Sequence, residues 1–514
     1  KLIDLADKAM YLSKDKGKNQ ISYAGEVTLE NAAFQIALDF FPCPKFIDRQ
    51  TEMAELKEVF ENTVLGKGLS ASVLIYGETG TGKSRLVSEF NNYAQQKAVI
   101  LVSKGVHKRQ EEPYFLFASA LDNYLSNIRP HSLQAQELIS ALPDEELAEL
   151  AKLLPQIGSV KSSLAGKEAR ALLFKSMLDL LIAINSKNPL VLSFDDLQWA
   201  DNASIELLHY LIKYERKRKI HVLLTLRGRP SLGQKEKDAL AQLLDYLHNA
   251  ENAAEIPLSD LSERDAYEMI EAMFPGLKEL KELNASVFEI TKGNPGFIEE
   301  IFKSLAENKL LVYQDNSWQL AVGLEEIDIP NSLEETIKKR VKTLDKETKE
   351  LIVQAAVIGE DFSVDLLKKL GENSEGYIFE VMARAKKRHL GKDSEKVGSF
   401  NFINSGIQDV LYNELSDDER KNLHRKIGET LAEEHQEDLY NVAADLSLHF
   451  GKAASGVLAS QYGRLLQEKA ADLFNPAEVI DYLKEFAAGT IKEEEKKEVP
   501  LELVALTRVE VSRL

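Results

Sequence analysis

Short apolar runs alternate with longer amphipathic stretches between residues 46 and 230 of the chain. The short runs are rich in β-branched residues, as buried strands are, and they occupy residues 72–76, 99–103, 189–194 and 220–226. The stretches between them carry apolar residues at helical spacing. Because strands that alternate with helices form a parallel sheet with right-handed crossovers, the pattern predicts an α/β domain.

The pattern becomes mainly helical beyond residue 235. A short apolar run at residues 256–258 interrupts it, and two further runs, at 310–313 and 318–321, flank turn residues and predict a β-hairpin. Everything beyond residue 416 shows helical spacing. The second half of the chain is therefore expected to be largely α-helical.

Composition limits the classes of protein to which the chain can belong. Its 514 residues are too many for a single domain, since one domain takes about 150 residues. With 64 Lys and Arg against 83 Asp and Glu, the net charge is −19, which disfavours a general nucleic-acid binder. Cys43 has no second cysteine to pair with, so a reducing, cytoplasmic location is expected. No apolar run approaches the ~18 residues of a membrane span.

A glycine-rich segment directly after the first predicted strand carries the clearest chemistry. It fits the phosphate-binding loop G-x-x-x-x-G-K-[ST] and consists of Gly77, Glu78, Thr79, Gly80, Thr81, Gly82, Lys83 and Ser84. Glycines let the backbone wrap so that amide N–H groups point at phosphate oxygens, and the following helix adds the positive end of its dipole. Lys83 would reach the β- and γ-phosphates, and the Ser84 hydroxyl would coordinate Mg²⁺. A glycine-rich turn without a ligand is the alternative interpretation.

Two adjacent carboxylates end the apolar run at residues 190–194 and resemble a Walker B element. Asp195 would hold Mg²⁺ through Ser84 and water, and Asp196 would orient or deprotonate the attacking water. Taken alone, Asp-Asp after a strand is also a common helix N-cap. Its position downstream of a phosphate loop favours the nucleotide site.

Two further segments add candidates for nucleotide contact. The run at residues 222–226 ends at Arg227, on the edge of a parallel sheet where ligands bind, and Arg227 would there sense the γ-phosphate. A surface position or an ion pair is the alternative for Arg227. The residues Gly293, Asn294 and Pro295 interrupt two predicted helices, and an interhelical turn is their simplest interpretation.

Together these motifs resemble those of the STAND-type AAA-like ATPases, signal-transduction NTPases with several domains. The resemblance rests on the segment 46–49, the phosphate loop, residues 195–201, Arg227 and the Gly-Asn-Pro turn. It implies an ATP/ADP-binding α/β domain with Mg²⁺, a helical lid, a winged-helix domain and helical repeats, with ATP favouring an open, active form. It also implies that Arg49 and Pro295 approach the adenine. This chain has Asp48 where the family usually carries glycine.

Both ends of the chain carry resemblances of their own. Residues 1–22 are similar to the last helix and strand of GGDEF diguanylate cyclase domains, although the namesake motif is absent from these 514 residues. Residues 462–482 resemble one degenerate tetratricopeptide-like (TPR-like) repeat. An unrelated amphipathic helix and a generic helical bundle are the respective alternatives. Since Lys1 and Leu514 both fall inside helical patterns, the chain is expected to be part of a longer protein.

The expected fold is an α/β P-loop NTPase, AAA-like and with a parallel sheet, extended by helical and winged-helix parts. The expected segments are 1–22 (cyclase end), 23–45 (linker), 46–234 (P-loop ATPase core), 235–325 (helical lid), 326–435 (winged helix) and 436–514 (incomplete TPR-like helices). A basic cluster around Arg384 and Lys386 is expected to be a solvated face or an inter-domain contact rather than a nucleic-acid surface.

The expected function is an ATP-binding and slowly hydrolysing regulatory switch, coupled to diguanylate cyclase output. Its expected partners are ATP, the other domains of the same chain, and proteins that bind the helical repeats. The alternative is a nucleotide-binding scaffold or transcription regulator without turnover.

Overall fold

A computed structural model describes residues 43–473 of the chain with short gaps. The gaps are residues 66–69, 107–108, 111, 128–137, 139–141, 155–156, 158–165, 187, 215–217, 229–238, 278–279, 315–316, 328, 331, 343, 360, 372, 389, 395–397, 404, 437–438 and 440–441. The predicted cyclase end, most of the predicted linker and residues 474–514 of the predicted TPR-like segment lie outside the described residues.

The chain divides into two compact units. The first, called the sheet unit, contains the described residues of 50–258 and 432–473. The second, called the helical unit, contains residues 43–49 and the described residues of 259–431.

The sheet unit is built on a parallel five-stranded sheet with the strand order β2-β3-β4-β1-β5. Its elements up to residue 258 are α1 (Gln50–Leu65), β1 (Ala71–Gly77), α2 (Lys83–Ala94), β2 (Val99–Lys104), α3 (Phe115–Asn127), α4 (Asp144–Leu150), α5 (Gly166–Asn185), β3 (Leu190–Asp195), α6 (Asn202–Tyr214), β4 (Ile220–Arg227), α7 (Ala239–Asn249) and β5 (Ala253–Pro257). Strands β1, β3 and β4 are apolar and almost wholly buried, as the central strands of a sheet covered on both faces must be. The predicted α/β fold and its four predicted strands are confirmed.

Strand β5 corrects one expectation. The predicted lid segment 235–325 includes the run at residues 256–258, but Ala253–Pro257 pairs with β1 in parallel and extends the sheet. The strand is short and lies at the sheet edge, where Pro257 is tolerated because an edge strand has a side without hydrogen-bonded neighbours. Its small, partly polar side chains therefore gave too weak a signal.

The helical unit combines helices with two small antiparallel sheets. Its elements are α8 (Glu263–Met273), α9 (Leu280–Thr291), α10 (Pro295–Glu307), β6 (Leu311–Gln314), β7 (Ser317–Leu320), α11 (Leu333–Lys342), α12 (Lys346–Ile358), β8 (Asp361–Ser363), α13 (Val364–Gly371), α14 (Glu375–Lys387), β9 (Gly391–Asp393), β10 (Ser399–Phe402), α15 (Ser405–Glu414) and α16 (Asp417–Glu434), the last of which continues into the other unit. Strands β6 and β7 pair as the predicted hairpin, and β8, β10 and β9 form a three-stranded sheet.

A buried charge cluster, called the Arg340 cluster, joins α10 to α11. The Arg340 guanidinium bonds the carboxylates of Glu300 and Glu307 and also donates to the backbone carbonyl of Arg388. Glu300 accepts a further bond from the Lys303 ammonium at 2.8 Å. All four charged side chains are at most 6 % exposed. Burial alone would raise the pKa of Glu300, but the charges of Arg340 and Lys303 lower it, so the carboxylate stays ionised.

The last described helices, α17 (Ala443–Lys452) and α18 (Gly456–Leu473), return to the sheet unit. They pack against each other, α18 also contacts α5, and Leu473 is part of the sheet unit's apolar core. The Arg109 guanidinium lies 3.1 Å from the Asp445 carboxylate of α17. Within the described residues, no helix is both long and apolar enough to traverse a lipid bilayer.

Candidate nucleotide site

The segment between β1 and α2 forms a tight loop that glycine alone permits at several points. Gly80 and Gly82 have φ angles of 87° and 95°, in the left-handed region that disfavours side chains. A Cβ at Gly77 would lie 2.4 Å from the carbonyl oxygen of Leu258, so a larger residue would displace the backbone. The Thr81 hydroxyl closes the loop by donating to the carbonyl of Glu78 at 2.9 Å. The loop therefore has the shape that the sequence motif predicts.

Lys83 opens α2 and directs its ammonium into this loop. The Nζ atom donates to the carbonyl oxygens of Gly77 and Glu78, each at 2.7 Å, and the residue is only 8 % exposed. Burial lowers the pKa of Lys83, while the carboxylates of Asp196 and Asp195 act in the opposite direction. The Lys83 ammonium therefore lies in the loop that leads into helix α2. Phosphate oxygens commonly bind at such helix N-termini in proteins.

Asp195, the last residue of β3, is held by two hydroxyl groups. Ser84 Oγ donates to Asp195 Oδ2 at 2.9 Å, and Thr225 Oγ1 donates to Asp195 Oδ1. Thr225 also accepts the backbone N–H of Asp196 at 2.9 Å. Strands β3 and β4 are neighbours, so the Thr225 hydroxyl fixes both carboxylate-bearing residues. Sequence reasoning missed Thr225, although a polar residue inside the apolar β4 run was a visible signal.

Asp196 adopts a strained backbone conformation beside this pair. Its φ of 53° and ψ of 51° are left-handed, a conformation that non-glycine residues hold only when their surroundings enforce it. Its Oδ1 accepts from Gln198 Nε2 at 2.8 Å, and its Oδ2 lies 3.5 Å from the Lys104 ammonium at the end of β2. Gln198 and Lys104 were not predicted as site residues.

Gly105 allows β2 to approach the Asp195-Asp196 segment closely. Its N–H donates to the carbonyl of Asp195 at 2.8 Å, and a Cβ at this position would lie 2.4 Å from the carbonyl oxygen of Asp196. Only glycine fits between the two chain segments. No sequence motif marked this residue, because the contact is made across the sheet.

Arg227 ends β4 next to the phosphate loop. It is in register with Gly77, and the N–H of Gly228 donates to the Gly77 carbonyl at 3.0 Å. The Arg227 side chain is exposed, and its charge contributes to the lowered pKa of Lys83, after the effect of burial. The structure therefore brings Arg227 to the edge where it was predicted, and contact with a γ-phosphate stays a prediction.

Asp201, the last residue of the signature that follows β3, closes two helix ends instead of facing the loop. It is fully buried, and its carboxylate accepts the backbone N–H groups of Tyr114 at 2.7 Å and Ser204 at 2.8 Å. These groups belong to the N-termini of α3 and α6. Burial raises the pKa of Asp201 to about 6, although these bonds act to lower it. The role of Asp201 is therefore structural.

The residues at the loop fit a Mg²⁺ ion carried with phosphate. Ser84 Oγ and Asp195 Oδ2 are hard oxygen donors 2.9 Å apart, and Mg²⁺ commonly binds through one or two such protein groups, phosphate oxygens and water. The described residues contain no group of three or more His, Cys, Asp or Glu side chains that could hold a metal without such a ligand.

Arg49 lies in the helical unit, on a strained segment. Asp48 has a φ of 43°, in the region that glycine favours, which accounts for the glycine usual in the resembled family. Arg49 itself has a φ of 143°. Its guanidinium donates to the carbonyl of Ser259 at 2.5 Å and to the Asp48 carboxylate at 3.1 Å.

Pro295 is the first residue of α10 in the same unit, and Asn294 caps the helix by accepting the N–H of Phe297 at 3.1 Å. The Asn294 amide donates to Asp260 at 3.0 Å, and the N–H of Leu261 donates to the preceding Gly293 carbonyl. This turn and Arg49 therefore both contact the segment 259–261. The predicted interhelical turn is confirmed, and contact with an adenine stays a prediction.

Carboxylates accompany the basic cluster near the end of α14. Arg384 lies 3.3 Å from Glu347 and 3.8 Å from Glu380, and Lys386 lies 2.8 Å from Asp393. These pairs offset the charges of Arg384 and Lys386, and the solvated face or inter-domain contact stays a prediction.

Part of the chain is similar to a known protein family. Residues 45–225 match the family described as AAA ATPase domain. An uncharacterized protein of Rhizobium meliloti (strain 1021) is 24 % identical over 462 residues, which cover 83 % of this chain and 42 % of that protein, so this chain spans less than half of its length.

Two solved structures are also similar. One is a Signal Transduction ATPase with Numerous Domains (STAND) protein with a tetratricopeptide repeat sensor from Pyrococcus horikoshii, with 16 % identity, a TM-score of 0.47, and coverage of 86 % of this chain and 58 % of that one. The other is the Cdc6p protein from Pyrobaculum aerophilum, with 12 % identity, a TM-score of 0.36, and coverage of 73 % and 98 %. The parallel sheet and the phosphate loop give this chain a P-loop AAA fold, and its residues 45–225 are similar to the AAA ATPase domain family.

Proposed function

We propose that the chain is the ATP-binding and slowly ATP-hydrolysing switch of a larger signalling protein. The observation that supports it best is the bond between Ser84 and Asp195 beside the Lys83 ammonium. It places a hydroxyl, a carboxylate and a cation at one helix N-terminus, the combination that binds a nucleotide phosphate with Mg²⁺.

Each site residue has a defined task in this proposal. The loop N–H groups and Lys83 bind the phosphate oxygens, and Ser84 and Asp195 hold Mg²⁺, which when bound neutralises charge on those oxygens. Asp196 orients the attacking water and accepts its proton, and Arg227 contacts the γ-phosphate. For Arg49 and Pro295 the family resemblance alone suggests contact with an adenine.

Turnover by the purified protein tests this proposal. Wild-type protein with ATP and Mg²⁺ should release phosphate. Asp196→Asn should bind a fluorescent ADP analogue as the wild type does but should release no phosphate from ATP. Asp245→Asn, at an exposed position of α7, is the matched control and should behave as wild type. Tight ADP binding without turnover by the wild type would overturn the enzymatic proposal and favour a nucleotide-binding scaffold.

Regulation of a diguanylate cyclase in the same protein is the finer part of the proposal. Its support is the resemblance of residues 1–22 to the end of a GGDEF domain, while a winged helix at 326–435 and TPR-like helices at 436–514 would bind partners. The natural full-length protein should make cyclic di-GMP from GTP, and the rate should change with Lys83→Met. A full-length protein without a GGDEF motif would contradict this link.

A further inference from the structure

The side-chain amide of Gln198 bridges the ends of two strands. Its Nε2 donates to Asp196 Oδ1 at 2.8 Å, and its Oε1 accepts the backbone N–H of Arg227 at 3.1 Å. Gln198 lies in the 3₁₀ turn Leu197–Trp199 after β3, and Arg227 is the last residue of β4. One side chain therefore connects Asp196 with the strand end that borders the phosphate loop.

The orientation of this amide is determined by its partners. A backbone N–H can only donate, so the oxygen of Gln198 must face Arg227 and the nitrogen must face the Asp196 carboxylate. The turn is itself supported, because Gln110 Nε2 donates to the Gln198 carbonyl and the Trp199 N–H donates to the Asp196 carbonyl. A flip of the amide would break both side-chain bonds at once.

We propose that Gln198 is a positioning residue for ATP hydrolysis, which rests on the function proposed above. Asp196 occupies a left-handed conformation that external bonds must stabilise, and Gln198 supplies such a bond to its carboxylate. The adjoining Gly228 is bonded to Gly77, the first residue of the phosphate loop. Hydrogen bonds therefore connect the first residue of the loop, through the end of β4 and Gln198, to Asp196 Oδ1.

Two substitutions separate positioning from binding. Gln198→Met keeps the length of the side chain and removes both bonds, and Gln198→Glu can still accept from Arg227 but repels the Asp196 carboxylate. Both substitutions should lower kcat by at least about 10-fold, and Gln198→Glu should have the lower kcat of the two. The Kd for a fluorescent ADP analogue, which carries no γ-phosphate, should stay within about two-fold of wild type, because the Gln198 amide bonds to Asp196 and to the Arg227 N–H rather than to the phosphate loop. Gln95→Met, which removes an exposed amide bonded to the Asn92 carbonyl, is the matched control.

Each outcome decides between distinct conclusions. Unchanged kcat in both variants would overturn the role of Gln198 and leave the proposed ATPase intact. An equal loss of kcat and nucleotide affinity, with a lower Tm, would make Gln198 merely structural. If Gln198→Met does not fold, Gln198→Glu, which keeps the size and polarity of glutamine, gives the same test. Absence of turnover in the wild type would overturn the proposed function itself.

Discussion

The nucleotide site of the sheet unit and the Arg340 cluster of the helical unit both gather ionised side chains, but they use them differently. In the Arg340 cluster every charge is almost wholly buried and meets an opposite charge or a carbonyl. In the nucleotide site Lys83 bonds to backbone carbonyls, and Ser84 and Arg227 are exposed.

The two regions differ in the groups that compensate their charged side chains. A closed cluster that neutralises itself holds two helices together and offers nothing to a ligand. In the candidate nucleotide site the Lys83 ammonium bonds to carbonyl oxygens of its own loop, at the start of a helix, where phosphate oxygens commonly bind. Substitutions in the first cluster should therefore affect stability, and substitutions in the second should affect binding and turnover.

The largest effect is expected from breaking the closed cluster. Arg340→Met leaves Glu300 and Glu307 buried without their main counter-charge, and it should lower the free energy of unfolding by about 3–5 kcal/mol. Chemical denaturation followed by circular dichroism measures this loss. Arg384→Met, which removes a partly exposed ion-paired arginine, is the control and should cost less than about 1 kcal/mol. Similar losses in the two variants would contradict the importance of burial.

The nucleotide site should show the opposite response. Lys83→Met removes the cation inside the loop and should reduce turnover at least about 100-fold, because charge on the transferred phosphate loses its main protein partner. The free energy of unfolding should fall by less than in Arg340→Met, because removal of a buried charge partly offsets the two lost bonds to the Gly77 and Glu78 carbonyls. Phosphate release and denaturation measured on the same sample test both statements. Lys97→Met, at an exposed pair with Glu61, should leave turnover unchanged.

Gly105→Ala tests the geometry of the site without removing a charge. The added Cβ would meet the carbonyl of Asp196 at 2.4 Å, so the variant should lose about 1–3 kcal/mol of stability and most of its turnover. Gly451→Ala, where nothing lies within 4 Å of the added Cβ, should instead be neutral or slightly stabilising. Normal turnover in Gly105→Ala would show that the position of Asp196 is unimportant.

His221 extends the comparison to a buried group without a polar partner. Its ring packs against Phe60 and Phe90, its nitrogens have no hydrogen-bond partner among the described residues, and burial lowers its pKa to about 3. The folded state therefore keeps His221 neutral while the unfolded chain protonates it below about pH 6.5. Its contribution to stability is complete above that pH and is lost as the pH falls from 6.5 towards 3.

His221→Leu should thus reduce the loss of unfolding free energy between pH 7 and pH 5 by about 1–2 kcal/mol. Denaturant titrations at pH 7 and pH 5 measure this loss of unfolding free energy. The control His248→Gln, at an exposed histidine, should show the same loss as the wild type. An unchanged pH dependence in His221→Leu would show that the ring is protonated in the folded state.

The parts of the molecule that local sequence determines were predictable. The phosphate loop, Asp195, Asp196 and the four central strands are marked by glycine spacing and buried apolar runs, which reflect contacts within one segment. Thr225, Gln198 and Gly105 were missed because their partners come from neighbouring strands, and no local pattern records which strands are neighbours. The short apolar run at residues 256–258 was visible, but its place in the sheet was not, because that place depends on pairing with β1.

The double cap made by Asp201 has a consequence for the order of events on the ribosome. Tyr114, whose N–H it accepts, lies 87 residues earlier in the chain. At 5–20 residues per second, synthesis delivers Asp201 about 4–17 s after the start of α3 has been made. During that interval water must satisfy the Tyr114 N–H that Asp201 later accepts. This corner of the sheet unit is therefore completed late, after β3 has been synthesised.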